Sequence, residues 1–539
     1  MNDDNEQTYP EEFNPLDMNN YKVEKLPKIE KRGFEKVLLY IGIPLAVLVF
    51  ILLFWVVKIP FLENLNISTF TSDAEAVNRF KQLGAEGFTR INYAMLAIFA
   101  AAIILWITEA IPNYLTSLLL IIAMVLTHVT SDTVAYAQLG HPVMWLNILS
   151  FVLASMLVKT QVAKRFALWL VVRFGKNSSW IILSFIIINI VLSAFISATT
   201  AKATILLPIF MVIAAIYGAR GGNQRNNFGR NLVLQNLFQI NMGATGFITG
   251  SGANLLAGSL IAGAMGMEFF SYQDWFVAAF PLAIILILIG WFVGLKIIFP
   301  VKREEQVPQI EGGIQYLKEE LTKMGKMKPI EYRAIAIFVA VLAMWATDKQ
   351  HGIDQTAVAF MGAIVALLPG IGIVKWNDVD IPWHLMLFSA GAYTLGAGLD
   401  ATGLPVTIVN TAFDSLGISN QTPFWVLYML LTFLMLFSAL LFQSKTMRAL
   451  IFVPIAIGVA QKFGYPIMSL SFPVALLIEH VYVMPYNSKP AALLYTTNQY
   501  SYIDAIKYGM TMMCIAWVMI IIWGETVLKW LGYTKGLFF

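Results

Sequence analysis

Apolar stretches long enough to carry a helix across a hydrocarbon layer recur along most of this chain. They run over 36–57, 91–111, 114–129, 142–160, 232–266, 274–299, 331–347, 356–370, 381–399, 466–497 and 503–530. A crossing needs roughly 20 such residues. Composition agrees: 58% of residues are hydrophobic and 13% charged, against about 45–50% and about 25% in an ordinary soluble domain. A soluble enzyme, a disordered chain and a nucleic-acid binder are excluded. The reading is an all-α polytopic membrane protein. One cysteine, Cys514, and five scattered histidines give neither a disulfide framework nor metal-ligand spacing, so no metal or cofactor is expected.

Two more segments, 179–218 and 423–461, are apolar at both ends and polar in the middle. Read as re-entrant hairpins, they let the charges fall into place. Loops 161–178, 219–230 and 300–330 are rich in Lys and Arg and belong inside, whereas 130–141 and 401–422 carry neither. The expected topology is eleven transmembrane helices plus two hairpins. Residues 1–35 form a cytoplasmic tail, 36–299 a first unit, 300–330 a solvated cytoplasmic linker, 331–530 a second unit and 531–539 an external end. Loop 58–90 lies outside in this reading. Segments 161–176 and 401–416 are amphipathic. Nothing resembles a cleaved secretory signal, so with its Lys and Arg ahead of the first span 1–35 reads as a cytoplasmic tail; the cell membrane is the expected location.

The two units read alike. Pro142-Val-Met-Trp145 opens one span and Ile381-Pro-Trp383 another. The hairpins end in Ile205-Leu-Leu-Pro208-Ile209 and Ile451-Phe-Val-Pro454-Ile455. Anchored on those prolines, Ala198-Thr199-Thr200-Ala201-Lys202 lies on Ser444-Lys445-Thr446-Met447-Arg448. A long span then breaks at Gly250-Ser251-Gly252-Ala253-Asn254 and, in the second unit, at Pro485-Tyr486-Asn487-Ser488-Lys489-Pro490. An odd number of crossings separates the units, which makes this an inverted repeat. Broken helices at corresponding positions of inverted repeats point to a transporter's binding site.

At these breaks the chain resembles the divalent-anion/sodium symporter family of dicarboxylate and citrate carriers, over about 36–530. The tips, the downstream breaks and the Trp-led spans carry the likeness. The resemblance implies a homodimer with a scaffold and an elevator-type mobile domain that holds substrate between the hairpin tips, beside sodium ions. The departures are informative. The family's tips read Ser-Asn-Thr; here they are Ala198-Thr199-Thr200, or Ser197-Ala198-Thr199 if shifted by one, and Ser444-Lys445-Thr446. The Asn is lost at both, and Lys202, Lys445, Arg448 and Lys489 are present instead.

A cation in mid-membrane costs about 2.5–3.5 kcal/mol on insertion scales, so four of them imply a function. Fixed ammonium and guanidinium groups can compensate a dicarboxylate as sodium does. Hydroxyls of Ser197, Thr199, Thr200, Ser251, Ser444, Thr446 and Ser488, with the Asn254 amide, can bond its oxygens. A mobile domain that stays positive when empty returns readily only when loaded. The expectation is sodium-independent exchange of small C4/C5 dicarboxylates such as succinate, fumarate, malate or 2-oxoglutarate, as in the family's bacterial exchangers. Glu479 and His480, before the second break, are candidates for a charge partner or a proton site. The alternative is a sodium- or proton-coupled symporter. Ser444-Lys445 has the residue types of a nucleophilic dyad, but adjacent residues at a helix break diverge; an enzyme is not expected.

Overall fold

A computed structural model describes residues 15–21, 34–63, 65, 74–175, 177–310, 312–415, 422–442, 444–485 and 487–538. Among them every regular element is helical, without a strand. Seven helices are long and apolar enough to cross a membrane, with boundaries Leu39–Val56, Glu75–Thr108, Asp132–Thr160, Thr199–Ile216, Tyr272–Ile298, Pro329–Ala346 and Tyr502–Trp530. Shorter apolar helices fill the rest.

The chain opens with α1 (Phe34–Ile51), α2 (Ala74–Thr108) and α3 (Asn113–Leu126). Helix α1 turns Tyr40, Val47 and Leu48 outward, as a helix bathed in lipid does. Helix α2 begins far ahead of its apolar run, so much of the expected outside loop 58–90 is helical. The reason is an amphipathic lead-in: Ala76 and Phe88 are fully buried, and Phe80 packs edge-on to Phe88 with centroids 5.3 Å apart. Gly84, at φ 69°, breaks the helical backbone inside it. That left-handed φ suits glycine.

Next come α4 (Pro142–Thr160), α5 (Val162–Phe174), α6 (Ser178–Phe195), α7 (Thr199–Ile216), α8 (Asn227–Thr245), α9 (Gly252–Ala264) and α10 (Tyr272–Val293). After α11 (Gly313–Lys323), α12 (Pro329–Ala346) and α13 (Gln355–Leu367), the order recurs. Helix α14 (Trp383–Thr402) is followed by α15 (Leu404–Ser415), α16 (Phe424–Phe437), α17 (Lys445–Lys462), α18 (Ile467–Leu476), α19 (Lys489–Tyr495) and α20 (Tyr502–Glu525). In each run a helix and an amphipathic helix precede two interrupted helix pairs and a long closing helix.

The segment expected as a solvated linker is docked. The buried Glu305 carboxylate accepts from the backbone N–H groups of Asn227 and Phe228 at the start of α8, where a helix's partial positive charge favours an anion. Gln309 N–H donates to Ile216 O at 2.7 Å, and Leu317 of α11 is fully buried. Arg165 of α5 pairs with Glu331 at 2.7 Å and donates to the carbonyls of Met324 and Gly325. The run of charge hides an amphipathic helix whose few apolar residues all face one way.

Helices α3 and α14 cross closely because small residues meet there, the usual way for helices in lipid to approach. Ser117 Oγ donates to Phe388 O at 3.2 Å, and a Cβ on Gly391 would sit 2.3 Å from the Ser117 Cβ. Gly391→Ala should therefore overpack the crossing and destabilise by about 1–3 kcal/mol, seen as a lower melting midpoint of the detergent-solubilised protein. Adding Ser117→Gly should recover only part of the loss, because the Ser117 Cα would still lie 2.8 Å from the new Cβ and the bond to Phe388 O is lost. An unchanged midpoint in Gly391→Ala would show that the crossing is looser than described.

Candidate functional site

Four interruptions of the α-helices come to one place. Their described residues are 196–198 between α6 and α7, 246–251 between α8 and α9, 438–442 and 444 between α16 and α17, and 477–485 and 487–488 between α18 and α19, with 3-10 turns at Ile248–Gly250 and Ser438–Leu440. Each frees N–H and C=O groups that lipid cannot satisfy. Serine caps three of the helices that restart: Ser251 accepts from Asn254 N–H, Ser444 from Met447 N–H and Ser488 from Ala491 N–H. Helix α7 starts at Ala198, with no side-chain cap.

One ion pair joins all four. Lys445 Nζ, on the second tip, donates to Glu479 Oε2 at 2.6 Å and to Thr199 Oγ1 of the first tip at 3.2 Å. Ser251 Oγ, in the first downstream break, donates to Glu479 Oε1 at 2.5 Å. Glu479 belongs to the second break. The pair is nearly enclosed, with side-chain exposures of 14% for Lys445 and 1% for Glu479. Both carboxylate oxygens are therefore held, whereas the ammonium, with three donors, has used two. Ser197, Thr200 and Thr446 stand on the same tips and make no hydrogen bond to the pair among the described residues.

Lys202 and Arg448 take matching positions one turn into the helices that follow the tips. Both are fully buried. Lys202 Nζ donates to Ser193 Oγ at 2.8 Å and Ile240 O at 3.4 Å. Arg448 donates to Ser438 Oγ at 3.0 Å, Ile478 O at 2.9 Å and the carbonyl of Met435. Each reaches a serine in its own hairpin and a carbonyl of the broken helix behind it. Arg448 thus closes the carbonyl ends of α16 and α18 and lies behind the tip instead of facing an anion between the tips. A helix's carbonyl end favours a cation, which explains where it went.

Two further expectations do not hold geometrically. Lys489 is exposed, its Nζ 3.5 Å from His384 Nε2, because the first residue of α19 points away from the pair. His480 turns from Glu479 to Tyr482, with Nδ1 2.8 Å from the phenol oxygen. Asn254 spends its amide N–H groups on the carbonyls of Ala244 and Phe247, so it closes the end of α8 and leaves Oδ1 as a buried acceptor. Ser488 Oγ donates back to Val481 O at 3.1 Å.

A band of buried amides was missed. Asn189 Nδ2 donates to Asn236 Oδ1 at 2.8 Å and to Gln239 Oε1 at 2.9 Å. Asn231, Gln235 and Asn241 share their burial. Mean hydropathy treats 232–266 as one apolar run, and the signal lay in the amides that interrupt it.

Removing the Arg448 guanidinium would strand several helix-end carbonyls, at about 1–3 kcal/mol each. Arg448→Met should therefore lower the melting midpoint strongly or abolish folded protein. Lys489→Ala should leave both the midpoint and anion uptake near the wild-type values. Thermal unfolding followed by size-exclusion fluorescence, beside uptake into vesicles, checks both; a stable Arg448→Met would refute the structural role.

Comparison with known proteins fits this architecture. Residues 84–534 match the family described as the sodium:sulfate symporter transmembrane region. The chain is 24% identical to a "Membrane protein" of Cupriavidus necator, over 83% of this chain and 89% of that one. It is also 24% identical to the "Sodium-dependent dicarboxylate transporter SdcS" of Staphylococcus saprophyticus, over 80% and 86%, and to that of Staphylococcus aureus, over 77% and 82%. With the family's transmembrane region matched across most of its length, this multi-pass membrane chain belongs to the sodium:sulfate symporter family of transporters.

Proposed function

We propose that this protein exchanges small C4/C5 dicarboxylates across the cell membrane without sodium, using fixed cations between and behind the hairpin tips. The observation that carries the reading is the Lys445 ammonium, which touches Thr199 and Glu479 where four broken helices meet. A spare ammonium donor, the Thr199, Thr200 and Thr446 hydroxyls and the uncapped start of α7 suit a carboxylate. The names of the staphylococcal relatives favour a dicarboxylate.

The exchange step follows from charge. Lys202, Lys445 and Arg448 outnumber Glu479 by two among the buried charges here. Two uncompensated cations at roughly 2.5–3.5 kcal/mol each put about 5–7 kcal/mol against return of an empty mobile unit. That slows the return by about four to five orders of magnitude. A bound dianion removes the penalty. The matched partners of Lys202 and Arg448 support an inverted repeat. An elevator-type motion and a homodimer complete the proposal on the family resemblance, and the Lys and Arg of the loops support an amino terminus that is cytoplasmic and a carboxyl terminus that is external.

A second reading has its own support. The staphylococcal relatives are named sodium-dependent, which favours sodium-coupled symport. Uptake of labelled succinate into proteoliposomes separates the two. Exchange predicts uptake in choline buffer that needs internal dicarboxylate and is at least about 100-fold slower into empty vesicles. Uptake into empty vesicles that requires external sodium would overturn exchange and establish symport.

A further inference from the structure

The charges buried where the breaks meet do not cancel, and the one carboxylate among them is held rigidly. Lys202, Lys445 and Arg448 stand against Glu479 alone among the described residues. His480 adds no charge to the sum: its Nδ1 meets the Tyr482 hydroxyl and its Nε2 is buried with no acceptor, which an imidazolium N–H would require. With both lysines protonated, the sum is an excess of two positive charges.

We propose that Glu479 sets the valence of the anion this site carries. By cancelling one of three fixed cations it matches the site to a dianion, and loss of its charge would match the site to a trianion. The inference rests on the anion-exchange reading above and deepens it. Glu479 is a specificity-determining residue that acts through the charge sum. Its oxygens are committed to Ser251 and Lys445, so it does not bind the anion itself. In a site sheltered from water an unbalanced charge of either sign is costly. An anion with one charge too few or too many therefore leaves the site unbalanced whatever its fit.

Variants move the sum in known steps. Glu479→Gln raises the excess to three, Lys202→Gln lowers it to one, and Lys445→Gln with Glu479→Gln restores two. The experiment is labelled succinate uptake into succinate-loaded proteoliposomes, competed by monomethyl succinate, succinate or tricarballylate at a pH where every carboxyl is ionised. These carry one, two and three charges. In the wild type, succinate should compete about tenfold better than either. In Glu479→Gln, tricarballylate should gain about tenfold relative to succinate, and in Lys202→Gln monomethyl succinate should gain similarly.

Glu479→Gln leaves a buried ammonium unpaired and can fail to fold. The double variant removes both partners and avoids that fault; it also loses the Lys445 ammonium as an anion ligand and should exchange succinate more slowly, while the order of competition stays that of the wild type. Equal competition by all three anions in the wild type, a folded Glu479→Gln with the wild-type order, or a double variant with a shifted order would each overturn the proposal. Absence of any succinate exchange in the wild type would instead refute the underlying function.

Discussion

A helix that stops inside lipid must pair its own loose ends, and this structure faces that requirement at four breaks. At the start of each resumed helix the need is for acceptors. Ser251, Ser444 and Ser488 supply them with oxygens that cap α9, α17 and α19. At the ends of the preceding helices the need is for donors. The Asn254 amide and the Trp275 indole serve the carbonyls at the end of α8. Arg448 serves those of α16 and α18, while Asn487 ties the second break to Ala439 O. Broken helices held in this way are stiff platforms, and such backbone is tolerated at this depth only within protein or around a cavity.

The two basic residues of the second tip show how side-chain chemistry divides that labour. Lys445 and Arg448 lie one turn apart on α17, yet they face different needs. A planar guanidinium with five donors suits a cluster of carbonyls from several helix ends. An ammonium on a flexible stem is a point charge that can keep one donor spare. Exchanging them would leave carbonyls short of donors behind the tip and crowd donors in front of it.

The long apolar runs and the breaks were legible because both are written in local composition. Runs of Leu, Ile and Phe give helices, and Gly, Ser and Pro at matched places end them. Serine immediately before a restarting helix is itself a cap signal, and Ser251, Ser444 and Ser488 carry it. The downstream breaks open earlier than their Gly and Pro residues indicate, after Thr245 and Leu476, so Glu479 lies inside the second break and not before it. What stayed hidden depends on direction. Lys489 sits inside its break but leaves toward His384, and nothing in the sequence states which way the first residue of α19 points. Arg448 looked like an anion ligand until the carbonyl ends of two distant helices were placed beside it. The lead-in of α2 and the helix α11 were hidden by charge: both bury a few apolar residues under a polar surface, and mean hydropathy averages these away.

Matching the two halves through their tips shows where the site departs from symmetry. Lys202 corresponds to Arg448, Ser193 to Ser438 and Ile240 to Ile478 in the bonds they make. Each half thereby holds one buried cation behind its tip. On the same tip alignment Thr199 stands opposite Lys445. The second half thus carries an ammonium where the first carries a hydroxyl, and sets a carboxylate beside it. That replacement adds no net charge, so the excess of two is the symmetric pair, one cation from each half. What the ion pair adds is a rigid bridge: Lys445 reaches across to Thr199, and Glu479 reaches across to Ser251. The half that departs from symmetry is the half that ties the two together.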